Sequence, residues 1–264
     1  MSATPAIDLE AEYNNRARVP EHPELMTTWR EDAAAYRAER APDVLKYGKG
    51  ERECIDLFPA GNAAPWAVFI HGGYWQALDG SWFSHLARGL NAQGVSVAIP
   101  TYDLCPDVTV STILNQMRDA CRTLADSGRT PTVVSGHSAG GHLAACLLAD
   151  GLTPSAYAIS GLFELEPLVP TSVNAKLGLD ADEARRLSPV LWPAPKGGVL
   201  DAVVGGAESG EYLRQSRTIA ELWGAGGVKT RFEAVEGANH FTVIAPMADP
   251  DSAMTRRVAE LAQL

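Results

Sequence analysis

A serine between small residues is the feature of this sequence with the clearest chemical potential. Ser138 lies in the stretch Gly136-His-Ser-Ala-Gly140, which fits the pattern G-x-S-x-G after a short apolar strand and before an apolar helix. Such a turn holds the serine in a strained backbone conformation that projects its hydroxyl, and small flanking residues let strand and helix pass closely. We therefore predict that Ser138 is a nucleophile.

A serine hydroxyl needs a base at neutral pH, and the base needs an acid to orient it. The turn around Ser138 resembles the nucleophile elbow of the α/β-hydrolases, in which the acid and then the histidine follow the serine along the chain. His240 is the histidine beyond the last predicted strand, in the glycine-containing loop 236–242. His240 is the predicted base, whereas His137 and His142 flank the elbow and are not expected to act as one.

The acid should follow the predicted strand at residues 199–204. Glu208 is the first carboxylate after the glycines that end this strand, and it is the preferred candidate. Glu211 is an alternative, although its position suits the first turn of the next helix, where a carboxylate favours the helix dipole. Asp201 lies within the strand and is the weakest of the three candidates.

A glycine-rich loop follows another apolar strand, at residues 66–70, and reads His71-Gly-Gly-Tyr-Trp75. Glycines let backbone N–H groups approach a tetrahedral oxyanion, and such a loop contributes to the oxyanion hole of this kind of hydrolase. His71 is expected to be structural. The predicted oxyanion hole comprises the amides of Gly73, Tyr74 and Ala139, with Gly72 supporting the turn.

Strands and helices alternate along the chain, which predicts an α/β fold with a mostly parallel central sheet and helices on both faces. The predicted strands are residues 52–58 (an early edge strand), 66–70, 95–99, 132–135, 156–160, 199–204 and 230–235. Residues 1–45, with a helix capped by Thr28 and Glu31, and residues 162–195 fall outside this alternation. We interpret both as a small cap over the carboxyl edge of one domain that spans residues 1–264.

Composition excludes several kinds of partner. The formal net charge of -10 disfavours nucleic acid and anionic membranes, and no apolar run has the length of a signal peptide or a membrane span. The four cysteines lack C-x-x-C spacing, as expected of reduced thiols in a cytoplasmic protein. No metal-ligand motif or P-loop is present, so no metal or other cofactor is expected. The sequence leaves a homodimer open.

His71-Gly-Gly-Tyr-Trp75 matches the H-G-G-x-W motif of kynurenine formamidases (arylformamidases), a family of α/β-hydrolases that the chain resembles from about residue 10 onwards. The resemblance implies hydrolysis of an aryl formamide, typically N-formylkynurenine in tryptophan catabolism, by Ser138 and His240. The family's acid is commonly aspartate, and Glu208 stands at that position here. Further segments resembling the family are Glu12-Tyr-Asn-Asn15, Val19-Pro-Glu-His-Pro23, Tyr102-Asp-Leu-Cys-Pro106, Gly161-Leu-Phe-Glu-Leu165, Ser188-Pro-Val190 and Gln215-Ser216.

Two other functions remain open from the sequence. A carboxylesterase or thioesterase could use the same residues, since a triad does not select its own leaving group. A non-catalytic binding protein on a hydrolase scaffold is disfavoured by the complete set of candidate residues. For an aryl formamidase, the substrate is a small aromatic amide or ester that requires a flat apolar pocket. The aromatic residues expected to form its walls are Tyr13, Tyr74, Trp75, Phe163 and Phe241.

Overall fold

A computed structural model describes residues 7–264, so the first six residues of the segment assessed for a signal peptide lie outside the described range. Eight strands form one sheet in the order β1-β2-β4-β3-β5-β6-β7-β8. The strands are β1 Asp43–Lys46, β2 Cys54–Phe58, β3 Trp66–Ile70, β4 Ser96–Thr101, β5 Pro131–His137, β6 Ser155–Ile159, β7 Val199–Gly205 and β8 Lys229–Val235.

From β4 to β8 across the sheet the strands are parallel, whereas β1 and β2 pair antiparallel with their neighbours. The sheet confirms the predicted mostly parallel α/β-hydrolase architecture. The segment around β2 is not the edge strand, because β1 covers it. Sequence patterning missed β1 because its four residues are mostly exposed and form no apolar run.

Helices cover both faces of the sheet, as predicted. The helices are α1 Leu9–Tyr13, α2 Asn15–Arg18, α3 His22–Glu39, α4 Ala87–Ala92, α5 Val110–Asp126, α6 Ala139–Ala149, α7 Asn174–Leu177, α8 Ala181–Arg186, α9 Gly210–Ala225 and α10 Ala253–Leu261. Along β3, Val68 and Ile70 pack with α5, α6 and α9, while Ala67 and Phe69 pack with α3, α4 and α10. Short 3-10 helices span Gly80–Leu86, Glu166–Leu168, Pro189–Leu191 and Ala245–Ala248.

One predicted helix start is wrong. α3 begins at His22, six residues before Thr28, and proline in the first turn supplies a preset backbone angle there. The Thr28 hydroxyl donates instead to the Glu24 carbonyl, 3.2 Å away within the helix, a bond that threonine commonly makes in a helix interior. Residues 28 and 31 therefore form no capping box.

Residues 162–195 contain α7, α8 and two of the 3-10 helices. All four cysteines are free thiols, three of them buried. Between residues 7 and 264, no helix is both long and apolar enough to cross a bilayer.

Candidate active site

Ser138 occupies the tight turn between β5 and α6. Its backbone has φ 56° and ψ −117°, a strained combination for a residue with a side chain. Its amide donates to the Ile159 carbonyl at 2.8 Å, which ties the turn to the neighbouring strand β6. The residue is only 2% exposed. The strand–turn–helix geometry expected of a nucleophile elbow is therefore present.

The glycines around Ser138 are required by close backbone contacts. A Cβ atom on Gly136 would lie 2.2 Å from the Gly140 carbonyl oxygen, and one on Gly140 would lie 2.0 Å from the carbonyl oxygen of Ile70. A Cβ on Gly141 would lie 2.9 Å from the Cα of Gly161. These separations confirm that strand and helix approach too closely for larger residues.

Replacing Gly140 with alanine is expected to destabilise the protein by about 3 kcal/mol, because the new methyl must push against backbone rather than against a movable side chain. For a chain of this size the midpoint of thermal unfolding should fall by roughly 10 °C. Gly61→Ala is the control, since nothing lies within 4 Å of a Cβ there. Equal melting temperatures for the two variants would contradict the close-contact argument.

His240 is held by Glu208. The imidazole Nδ1 lies 2.6 Å from Glu208 Oε2, and both residues are buried. The second carboxylate oxygen, Oε1, accepts from the Ser160 hydroxyl at 2.5 Å and from the Gly205 amide at 2.7 Å. An ionised carboxylate only accepts, so Nδ1 carries the proton of the neutral imidazole and Nε2 keeps a free lone pair.

The other two candidate acids are engaged elsewhere. Glu211 accepts from the Tyr13 hydroxyl at 2.7 Å and from Arg214 in a two-point contact at 2.7 and 2.8 Å. The Arg214 guanidinium is the main cause that lowers the pKa of Glu211. Asp201 accepts from Arg257 at 2.8 Å, which attaches α10 to the sheet. In the described part of the chain, neither carboxylate is bonded to His240.

The histidines beside the elbow have structural partners. His137 Nε2 donates to the His240 carbonyl at 2.8 Å, and the two rings lie 4.7 Å apart between centroids. Burial, reinforced by His240, holds the pKa of His137 well below its usual range, so this ring is neutral at pH 7 and supports the His240 loop. His142 Nε2 donates to the Leu187 carbonyl at 2.8 Å.

The glycine-rich loop packs directly against the elbow. A Cβ on Gly72 would lie 2.8 Å from the His137 carbonyl oxygen and 3.0 Å from Ser138 Cβ. Gly73 has φ +103°, in the region that favours glycine, and a Cβ there would lie 2.4 Å from the Ala77 carbonyl oxygen. Both glycines are thus needed to bring this loop to the serine.

The predicted oxyanion donors have no other partner among residues 7–264. The amides of Gly73, Tyr74 and Ala139 donate no hydrogen bond to these residues. His71 is fully buried, its Nδ1 lies 2.8 Å from the Gly72 carbonyl, and its ring stacks on Tyr102 at 4.1 Å. Burial lowers the pKa of His71 to about 4, in keeping with a structural role.

A cavity of about 310 Å³ lies over Ser138 and His240. Its lining combines the elbow and glycine-rich loop with the segment before β1 and with the insertion between β6 and β7. The lining residues are Tyr13, Asn14, Asn15, Arg16, Met26, Trp29, Gly73, Tyr74, Gln76, Ala77, Leu78, His137, Ser138, Ser172, Val173, Lys176, His240 and Phe241. Among residues 7–264, no cluster of three or more metal-ligating side chains is present.

The cavity includes three of the five predicted wall aromatics, namely Tyr13, Tyr74 and Phe241. The prediction is wrong for Trp75 and Phe163, which do not line the cavity and are completely buried in the core. The Trp75 ring points inward and packs edge-on against His142 at 5.1 Å between centroids. Sequence could not separate these cases, because an aromatic residue next to a motif can face either the core or the cavity.

A tyrosine cluster near Ser138 was not predicted. The Tyr74 hydroxyl lies 2.6 Å from the Tyr13 carbonyl, an obligate acceptor, and 2.7 Å from the Tyr212 hydroxyl. Tyr74 therefore donates to the carbonyl, and Tyr212 donates to Tyr74. Asn15 donates to the Tyr212 hydroxyl at 2.9 Å, and the Tyr212 ring lies 4.8 Å from the His240 ring. The cluster therefore joins the segment before β1 to His240.

The sequence carries different amounts of information about the residues near Ser138 that had not been predicted as part of the site. Asn15 lies in the segment Glu12-Tyr-Asn-Asn15, which was already singled out, whereas nothing in the pattern around Tyr212 distinguishes it from an ordinary helix residue. Met26 and Trp29 lie on α3, whose position over the elbow could not be derived from its own sequence.

Comparison with known proteins identifies the fold and the family of this chain. Residues 67–178 match a family described as having the α/β-hydrolase fold. The kynurenine formamidase of Drosophila melanogaster is 32% identical over 238 residues, which cover 81% of this chain and 79% of that protein. The kynurenine formamidase of Salmo salar is 31% identical and covers 82% of this chain and 80% of its own length.

Two solved structures extend the comparison. A crystal structure from Silicibacter sp. TM1040, provisionally described as a thioesterase, is 34% identical, covers 98% of this chain and 100% of its own, and superposes with a TM-score of 0.88. The carboxylesterase EstE1 from a metagenomic library is 18% identical and covers 91% of this chain and 94% of its own, with a TM-score of 0.69. The second similarity concerns the fold alone.

Proposed function

Because the chain belongs to the kynurenine formamidase family of α/β-hydrolases, we propose that it hydrolyses an aryl formamide, such as N-formylkynurenine, to the free amine and formate. The observation that carries the proposal is the buried Glu208–His240 pair, with Nδ1 and Oε2 2.6 Å apart, beside the strained Ser138. With N-formylkynurenine as substrate, the reaction is a step of tryptophan catabolism.

The proposed mechanism has two acyl-transfer steps. Ser138 Oγ attacks the formyl carbon while His240 Nε2 takes the hydroxyl proton, and Glu208 stabilises the imidazolium that forms. The amides of Gly73, Tyr74 and Ala139 stabilise the oxyanion. His240 returns the proton to the leaving nitrogen as the C–N bond breaks. Water, deprotonated by His240, then attacks the formyl ester, and formate leaves as Ser138 recovers its proton.

The cavity suits a substrate whose bulk lies in the leaving group. A formyl group carries only hydrogen beyond its carbonyl carbon and needs almost no acyl pocket. Trp29 and Phe241 lie 5.8 Å apart between ring centroids, and both line the cavity. Flat aromatic surfaces of this kind favour an aryl ring next to the scissile bond.

We further propose that residues 1–45 and 162–195 act as a cap on a single hydrolase domain. Both segments contribute to the cavity lining. They are also joined to each other, because Glu10 accepts from the Ser172 amide at 2.7 Å and from its hydroxyl at 2.6 Å. Substrate size would thus be limited by two segments that lie outside the strand–helix alternation.

A carboxylesterase or thioesterase is the second candidate function. It is favoured by the similarity to the Silicibacter structure, provisionally described as a thioesterase, at 34% identity over nearly the whole chain. The same nucleophile, base and oxyanion donors would cleave an ester, and only the leaving group would differ.

A direct comparison of substrates tests the two functions. We expect kcat/KM for formanilide, corrected for the intrinsic reactivity of each bond, to exceed that for p-nitrophenyl acetate and for a short acyl thioester by at least roughly tenfold, or 1.4 kcal/mol of transition-state binding. Hydrolysis of the ester or thioester without measurable turnover of formanilide would establish the second function instead.

A further inference from the structure

The cavity over Ser138 has an apolar part and a polar part. Met26, Trp29, Leu78 and Phe241 belong to, or pack against, the core on the α3 side of the sheet. The remaining wall contains polar residues from two cap segments, residues 14–16 and residues 172–176. A ligand that fills the cavity would therefore have an apolar ring and a polar end.

The polar part carries net positive charge. Arg16 and Lys176 line the cavity, and no aspartate or glutamate does. This contrasts with the whole chain, whose formal net charge is -10. Two cations without a carboxylate in one concave surface of an acidic protein indicate a site for an anion.

Arg16 and Lys176 also lack partners within the described residues, where neither side chain forms an ion pair or a hydrogen bond. Other arginines nearby are paired: Arg18, in the same short helix as Arg16, lies 3.9 Å from Glu12, and Arg214 binds Glu211 at 2.7 Å. The nearby carboxylate of Glu10 is occupied by Ser172 and does not line the cavity. Both cations are thus available to a ligand.

We propose that Arg16 and Lys176 form a carboxylate-binding subsite that selects substrates with an anionic leaving group. The inference rests on the proposed aryl formamidase activity, because a formyl group has no position for a charge and any carboxylate must then belong to the amine half. Arg16 offers a planar fork that can bind both carboxylate oxygens, and Lys176 adds a point charge.

The test uses formanilides whose side chains have the same three-carbon length and end in an anionic, a neutral or a cationic group. The probes are the ortho and para isomers of 3-(formamidophenyl)propanoate, its carboxamide and the corresponding propylammonium. We expect kcat/KM to decrease from carboxylate to carboxamide to ammonium, with the carboxylate favoured about tenfold over the carboxamide, as for one charge-assisted hydrogen bond. Raising the ionic strength should reduce the preference.

Variants of Arg16 and Lys176 test whether these residues cause the preference for carboxylate over carboxamide. Arg16→Met and Lys176→Met should each remove most of the carboxylate-to-carboxamide ratio, and the double variant should remove all of it. Arg18→Met is the matched control, since it removes one positive charge from the same segment outside the cavity, and its ratio should equal that of the unmodified protein. Inhibition by 3-phenylpropanoate, but not by its amide, should weaken in parallel.

Equal kcat/KM values for carboxylate and carboxamide, or a preference that survives the double variant, would overturn the subsite. Failure of the proposed function has a different signature, because the neutral formanilide would then not be hydrolysed at all. In that case the subsite is still tested with p-nitrophenol-type esters whose leaving groups carry the carboxylate, the carboxamide or the ammonium group. The readout is the ratio of kcat/KM for the carboxylate to kcat/KM for the carboxamide.

Discussion

Ser138→Ala is expected to lower kcat by about a millionfold, because removal of the nucleophile leaves only binding and oxyanion stabilisation. The fold should persist, because alanine can keep the backbone conformation of the turn. The hydrogen bond from the backbone amide of Ser138 to the Ile159 carbonyl does not involve the hydroxyl. Turnover of formanilide or p-nitrophenyl acetate, together with covalent labelling by a fluorophosphonate probe, measures the effect.

Ser135→Ala is the matched control for the labelling experiment. Ser135 lies three residues earlier on β5, is fully buried, and its hydroxyl donates to the Val68 carbonyl at 2.9 Å. This variant should be labelled as efficiently as the unmodified protein. Labelling of Ser138→Ala, or activity comparable to that of the control, would rule out Ser138 as the nucleophile.

Glu208→Gln should lower kcat by about 10⁴-fold, the effect of placing the base in the wrong tautomer. Ser160 and Gly205 both donate to Oε1, so they would hold the single amide oxygen of glutamine at that position. The amide NH₂ would then face His240 Nδ1, which must accept, and the ring proton would move to Nε2. A protonated Nε2 cannot take the proton of Ser138.

Glu211→Gln separates this effect from a general loss of charge. Glu211 binds Tyr13 and Arg214 rather than His240, so its replacement should weaken the attachment of α1 while leaving kcat within about tenfold of the unmodified protein. Circular dichroism and thermal unfolding would show that both variants are folded. If Glu211→Gln were the more damaging change, the acid would have to be reassigned.

Much of the fold could be predicted because buried parallel strands leave a direct signal. Residues 66–70 and 95–99 read as apolar runs between turn residues, and the structure has strands at Trp66–Ile70 and Ser96–Thr101. The exposed strand β1 has no apolar run that a local pattern could reveal. The start of α3 does carry a local signal, proline in its first turn, which the capping-box interpretation overlooked.

The candidate site was predictable to the extent that backbone geometry constrains residue type. The positive φ of Ser138 and the close contacts at Gly140 require an elbow sequence, which can be recognised without a structure. The cavity walls carry no such constraint. Trp29 approaches His137, and Tyr212 approaches His240, only because separate helices converge over the elbow. Trp75 faces the core although it lies within the motif.

The hydrogen bond between Tyr13 and Glu211 joins residues that are 198 positions apart in the chain. The elbow lies in the packed centre of the sheet, whereas α1 and α2 are short and depend on a few polar contacts of this kind. Segments with few buried contacts open locally at a lower free energy than the global fold. Under the proposed function, substrate selectivity and catalysis would reside in parts of different stability, so mutations or mild denaturant are expected to alter one while sparing the other. The same separation would let substrate range diverge in evolution through the proposed cap while the candidate active site stays unchanged.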